Sequence, residues 1–296
     1  VVSDRDDLAV GQLADSVLRA DADVILAVGT RFLGPVSNPV DIRDDQTVIR
    51  IDIDPEEIVR NGRATIEIEA DAKAALAAII DAISPDRAVD QGKLTELRQL
   101  KQMLRERVES VEPQASYAKS IRQTLPDEAV LVSEMTQLGY WSSLGYPVYQ
   151  PNTFLTCGYQ GTLGFGFTLA MGAKVGKPDV PVVSMNGDGG FGFTLNELST
   201  LVQHNIGLIT IVFNDNAYGN VKRIQQVDMG GRQIASDLVN PDYVKLAEAF
   251  GVTGRRAESP VQLAQAMADS IRADEPTLIE VPVPQMPDPW KSLKLR

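Results

Sequence analysis

The sequence predicts an α/β protein: a doubly wound parallel sheet preceded by a smaller, partial α/β unit. Short apolar runs such as 129–133 (AVLVS), 208–213 (LITIVF) and 277–281 (TLIEV) recur along the chain. Runs of this length and composition suit strands buried on both faces. Between them lie amphipathic helical stretches, for example 242–250 and 261–273. Strands alternating with helices in this way specify a parallel sheet with right-handed crossovers.

Composition narrows the function classes. With 296 residues, 44% hydrophobic and 23% charged, the chain can build two globular domains. No apolar run approaches the roughly 20 residues needed to span a bilayer. The opening VVSDRDDLAV lacks the basic and apolar regions of a signal peptide, so a cytoplasmic location and no membrane partner are expected. The single Cys157 excludes an internal disulfide and a thiolate metal cluster, which leaves it a packing role. A net charge of −12 argues against nucleic acid, whose backbone is bound by clustered Lys and Arg. The lone His204 gives little support to a His-based zinc site or a Ser-His-Asp triad, and it reads as a residue at the end of a helix.

Taken in order, 11–20 reads as a helix, 23–29 and 47–53 as buried strands, and 72–83 as an amphipathic helix, with Asp54-Pro55 closing the second strand. About two strands make a small sheet, so residues 1–84 are expected to be part of a larger domain. Residues 85–112 form a helical linker punctuated by Pro85 and Gly92, with Leu94, Leu97, Leu100 and Leu104 at helical spacing over 93–111. The second domain, 113–296, opens with a helix at 116–124 and the strand 129–133. A short helix at 137–144 carries Tyr140 and Trp141, and 153–156 is extended. The glycine-rich run 158–166 then leads into a helix ending near Lys174. Residues 252–255 are extended, and the Pro-rich tail from Pro282 ends the fold.

The stretch 181–219 carries the chemistry. It reads as a strand (182–185), a glycine-rich turn (186–190), a helix (191–203), a strand (208–213) and Asn214-Asp215-Asn216. That order brings Asp188 and Asp215, 27 positions apart, to the carboxyl ends of two strands, where open α/β sheets bind ligands. A helix opening on small residues offers free backbone N–H groups to a phosphate. Two carboxylates beside a diphosphate repel it unless a cation lies between them. Mg²⁺ fills that role, because it binds through one or two carboxylates plus ligand phosphates.

Gly187-Asp188-Gly189 with Asn214-Asp215 at this spacing resembles the cofactor signature of thiamine diphosphate enzymes of the acetolactate synthase, benzoylformate decarboxylase and pyruvate decarboxylase group. The resemblance implies thiamine diphosphate and Mg²⁺ as cofactors. Asp188, Asp215 and the carbonyl of Ala217 would then be metal ligands, with Gly187, Gly189, Gly190 and Asn214 around the diphosphate. Asp215 stands where the family usually has Asn, which adds charge beside the metal. The competing reading is that Asp215 caps a helix through Ala217 to Gln225. Gly158–Gly166 resembles the segment that grips the aminopyrimidine, with Leu163 pressing beneath the bent cofactor and the Gly161 carbonyl accepting from the pyrimidine amine. These two residues hold the catalytic places. Gln137, Asn220 and Val221, with Tyr140 and Gln225, are the expected substrate-pocket residues.

By the same resemblance, residues 1–84 correspond to the second half of a Rossmann-like central domain. Val28-Gly29-Thr30-Arg31 and Asp52-Ile53-Asp54 fit its pattern, but FAD binding is not supported. The implied activity is decarboxylation or carboligation of a small 2-oxo acid by a homo-oligomer. The family also uses a glutamate on a pyrimidine-binding domain, and no stretch here resembles that domain. It would come from a missing segment or another chain. Glu134 reads either as a pocket acid or as a solvated loop acid. The rival expectation is a non-catalytic cofactor-binding or assembly module that keeps the fold.

Overall fold

The computed structural model describes residues 2–33, 40–83, 90–158 and 160–293. The 84/85 boundary, Pro85 and Tyr159 lie outside the described residues. The chain folds as two units, one from Gln12 to Lys101, the other formed by residues up to Gly11 together with Gln102 onward.

In the smaller unit three parallel strands, β1 (Val24–Val28), β2 (Thr47–Asp52) and β3 (Ile66–Glu69), stand in that order. Two strands were expected. The sequence Ile66-Glu67-Ile68-Glu69 alternates with charge and stays mostly exposed, so its pairing to β2 rests on backbone bonds rather than on an apolar run. Ala27, Phe32 and Val48 form a small core. Arg50 is buried beside it, with Nη2 donating to the Thr30 carbonyl at 3.0 Å. Two of this unit's helices start on acidic caps: Asp54 accepts from Glu56 N ahead of Pro55–Arg60, and Asp71 from Ala74 N ahead of Ala72–Ala82.

The larger unit carries six parallel strands: β4 (Val130–Ser133), β5 (Phe154–Leu155), β6 (Val182–Gly187), β7 (Ile209–Asn214), β8 (Thr253–Arg256) and β9 (Thr277–Pro282). Their spatial order is β5-β4-β6-β7-β9-β8. Chain order therefore runs outward to β5 on one side of β4, then returns to β6 on the other. The strand order reverses between β4 and β6, and a crevice at such a switch point is the ligand position of an open α/β sheet. Every residue of β4 and β7 is buried, as helices on both faces require. Phe167, Phe191 and Tyr243 close the core on one face, with ring centroids 5.1 and 5.9 Å apart in edge-to-face pairs.

Three expectations are corrected. The helix expected over 191–203 is broken into a single turn, Asp188–Phe191, a 3-10 turn, Leu195–Glu197, and the short helix Leu198–Gln203. Gly192, Thr194 and Asn196 are weak helix formers at the break. The helix after Asn216 is Gly219–Val227 and has no side-chain cap, so Asp215 does not cap it. The tail does not simply end the fold: Met286 and Leu293 are buried, and Asp288 caps the turn Pro289–Ser292.

Candidate functional site

β6 and β7 pair in register as far as Gly187 and Phe213, so the residues just beyond, Asp188 and Asp215, emerge side by side. Asp188 is 3% exposed and Asp215 half-buried. Burial raises the Asp188 pKa. Burial and then the charge of Asp188 push Asp215 up to about 6, with the two carboxyls in hydrogen-bonding reach of each other. Backbone N–H groups, that of Ala217 among them, oppose both shifts. Two acids in this arrangement must share a proton or a cation. Among the described residues no group of three or more His, Cys, Asp or Glu side chains could hold a metal. A cation here would therefore rest on the two carboxylates and a backbone carbonyl such as that of Ala217. Such a hard oxygen set, with positions left for phosphate and water, fits Mg²⁺.

A cleft of about 220 Å³ opens beside the pair. Gly187, Asp188, Gly189, Gly190, Asp215 and Ala217 form its floor. Met135, Gly161 and Leu163 stand on one wall, and Gln137, Tyr140, Asn220 and Val221 on another. Leu163 is 47% exposed, leaving its side chain open to a ligand. The structure thus brings together all the expected site residues except two. Asn214 faces away from the cleft: its Nδ2 donates to Glu280 Oε1 at 2.8 Å, and its Oδ1 accepts from Asn216 N and Asn240 Nδ2. Gln225 bonds the backbone of Ile234 in both directions instead of lining the cleft.

The pocket wall has a buried support that the sequence did not disclose. Arg223, 9% exposed, donates to Gln137 Oε1 at 2.8 Å and also to Asn220 Oδ1, and pairs with Asp288 at 3.6 Å. Asn220 Nδ2 in turn donates to the Tyr140 hydroxyl at 3.3 Å. With Oε1 engaged, Gln137 Nε2 is a buried donor without a hydrogen-bond partner among the described residues, available to a ligand.

One further residue escaped sequence reasoning. Asn240 Nδ2 donates to Asp188 Oδ2 at 2.6 Å and to Asn214 Oδ1 at 2.9 Å, tying the two turns together. In sequence it sits in Asn240-Pro241-Asp242, which reads only as turn and cap chemistry. Glu134, directly after β4, is 2% exposed, which rules out the solvated loop acid. Burial pushes its carboxyl up to about 7, against the opposing N–H groups of Gly164 and Gly187. The thiol of Cys157 is free and half-buried, lining a separate shallow groove with Thr156, Phe165 and Leu169.

These features define a class before any particular relative. Residues 134–281 match the thiamine pyrophosphate enzyme C-terminal TPP binding domain, and residues 3–79 match the thiamine pyrophosphate enzyme central domain. The chain belongs to the thiamine pyrophosphate enzyme family.

Particular relatives are acetolactate synthases. The chain is 33% identical over 300 residues to the "Probable acetolactate synthase large subunit" of Methanocaldococcus jannaschii, covering 96% of this chain and 50% of that protein. It is 32% identical over 276 residues to the acetolactate synthase of Bacillus subtilis, covering 90% and 48%. Among solved structures it resembles the thiamine diphosphate-dependent 4-hydroxybenzoylformate decarboxylase of Rhodococcus jostii RHA1, with TM-score 0.71 and 24% identity over 88% of this chain and 49% of that one. The last likeness speaks for the fold. The chain spans about half the length of the curated relatives it matches. Among the described residues no helix is long and apolar enough to cross a membrane.

Proposed function

We propose that this chain carries the diphosphate- and Mg²⁺-binding half of an acetolactate synthase-like enzyme that decarboxylates a small 2-oxo acid or joins it to a second carbonyl compound. The observation that carries the reading is the pair Asp188 and Asp215, two carboxyls in mutual reach at adjacent strand ends beside a cleft that extends to Leu163. In this reading the two carboxylates and the Ala217 carbonyl hold Mg²⁺. The N–H groups of Gly189 and Gly190 receive the diphosphate, and Gln137 Nε2 donates to a ligand oxygen. Leu163 and Gly161 serve the pyrimidine end. When bound, thiamine diphosphate supplies a carbon nucleophile and a ring that accepts the electrons released as carbon dioxide leaves. The protein's part is to hold charges in place: Asn240 and Arg223 fix Asp188 and Gln137 from behind. A pyrimidine-binding domain, from a further segment or another chain, and a homo-oligomeric assembly belong to the same proposal.

Calorimetry of thiamine diphosphate with and without Mg²⁺ tests it, on this chain alone and with a pyrimidine-binding domain supplied. Mg²⁺-dependent binding that Asp188→Ala removes is the expected result. Absence of Mg²⁺-dependent binding under both conditions rejects it. Cofactor binding without turnover of pyruvate or benzoylformate, even with that domain present, points to the non-catalytic module.

A further inference from the structure

Two glycine-rich segments from distant parts of the sequence, 161–164 and 187–190, meet at the cleft, which residues 161–163 and 187–190 line. The space beneath them is filled by one carboxyl. Glu134 is anchored by its own backbone, whose N–H donates to the Met185 carbonyl at 2.9 Å at the end of β6. From there Oε1 accepts from the Gly164 N–H at 2.5 Å, and the Gly187 N–H also favours the charged carboxylate. A side chain at Gly190 would collide with both carboxyl oxygens, and one at Gly166 would place its Cβ 2.8 Å from Glu134 Cβ. Gly164 itself has φ +86°, a backbone state that L side chains rarely adopt. The glycines on either side are thus shaped around this acid.

We propose that Glu134 is a positioning residue whose buried carboxyl ties the segment 161–164 to the turn 187–190 and fixes the separation between them. On the reading given under Proposed function, these two segments serve the pyrimidine end and the diphosphate end of the cofactor. The arrangement is demanding, since Glu134 is almost wholly buried and Oε2 has no hydrogen-bond partner among the described residues. An unpaired polar atom at this depth costs stability. A hydrophobic residue would fill the space without that cost but would leave the Gly164 N–H unsatisfied, with only the Thr194 hydroxyl, which donates to the Gly164 carbonyl at 3.2 Å, left to link the first segment to the region past the turn. Shortening the side chain by one methylene, in Asp, removes the reach. Gln keeps the reach and the Oε1 acceptor.

The test uses Glu134→Asp, Glu134→Gln and Glu134→Ala with two readouts on the chain. In the ligand-free protein, amide hydrogen exchange of peptides covering 161–165 and 186–191 should quicken at least about tenfold in Asp and Ala while Gln stays within about threefold of wild type. By calorimetry, Mg²⁺ with thiamine diphosphate should bind at least about tenfold more weakly to Asp. Mg²⁺ with inorganic diphosphate, which needs only the turn, should change less than about threefold. The proposal falls if Asp and Ala exchange like wild type. It also falls if Asp weakens both ligands equally with a matching drop in melting temperature, as a merely structural role would. If instead the exchange pattern is as expected and wild type binds no thiamine diphosphate, the cofactor reading fails and the tether between the segments stands.

Discussion

The two sheets of this chain treat the same sequence feature, an Asp just past a strand, in opposite ways. After β2, Asp52 Oδ1 accepts from Asp54 N at 3.1 Å, and Asp54 accepts from Glu56 N at 2.9 Å. Both acids serve local turn geometry, and Asp54 is exposed. After β6 and β7, Asp188 and Asp215 line one cleft, burial raises the proton affinity of both, the charge of Asp188 raises that of Asp215 further, and Asn240 holds Asp188 from outside the turn. The cause is the sheet. Three strands with a core of Ala27, Phe32 and Val48 leave the strand ends in water. Six strands covered on both faces bury them, and a buried carboxylate requires a partner. Burial thus separates a structural acid from a functional one.

Several substitutions can break or sharpen this contrast. The largest effect is expected from Phe191→Ala, which opens a cavity where Phe167 and Tyr243 meet. It should cost about 3–5 kcal/mol in urea unfolding and disorder the adjacent turn. Asp188→Ala should weaken Mg²⁺-dependent thiamine diphosphate binding on the order of 100-fold. Because it also removes a buried like-charge contact, the ligand-free melting temperature should hold or rise. A fall in melting temperature with unchanged binding would return Asp188 to the structural class.

Asp215 gives the pH dependence. Its pKa in the folded chain, about 6, lies above the ordinary 3.8, so the folded state holds the proton more tightly than the unfolded state. The contribution of Asp215 to metal-free stability should be greatest below about pH 4, decline as pH rises to 6, and carry the full penalty at pH 7. Asp215→Asn should flatten that decline and raise metal-free stability at pH 7 by about 1–3 kcal/mol. Saturating Mg²⁺ should flatten it in the wild type. A pH profile unchanged by either would show that the two carboxyls do not interact. The smallest effect belongs to the exposed acid of the comparison. Asp54→Ala should cost about 1 kcal/mol as the loss of a helix cap and leave cofactor binding untouched.

Read from the residues, β6 and β7 were legible almost to their ends, because 182–185 and 208–213 are short, predominantly apolar runs bounded by turn residues. The helices after Asp242 and Ser259 were legible from their amphipathic spacing, each now seen with its cap bond in place. β3 was not, since half its residues are charged and exposed. Nor was the break in 191–203, where burial of Phe191 and Leu198 on one core sets the path against helical continuity. In the site, Asp188, Asp215 and the glycines announced themselves by spacing. Asn240 and Arg223 did not, since their partners lie 52 and 86 positions away in the chain.

The sequence by itself determined which residues could carry charge to the strand ends, because alternation of apolar runs and turns is a local property of the chain. It determined the spacing of the two Asp residues, and with it the family. Tertiary structure alone decided which of those acids are buried, that Asn214 turns away from the cleft, and that Glu134 lies beneath two glycine segments instead of in solvent. The physical reason is that burial and hydrogen-bond partnership are set by what packs from elsewhere. The strand order β5-β4-β6-β7-β9-β8 brings Glu134, Asp188 and Asp215 to one crevice, and strand order cannot be read along the chain.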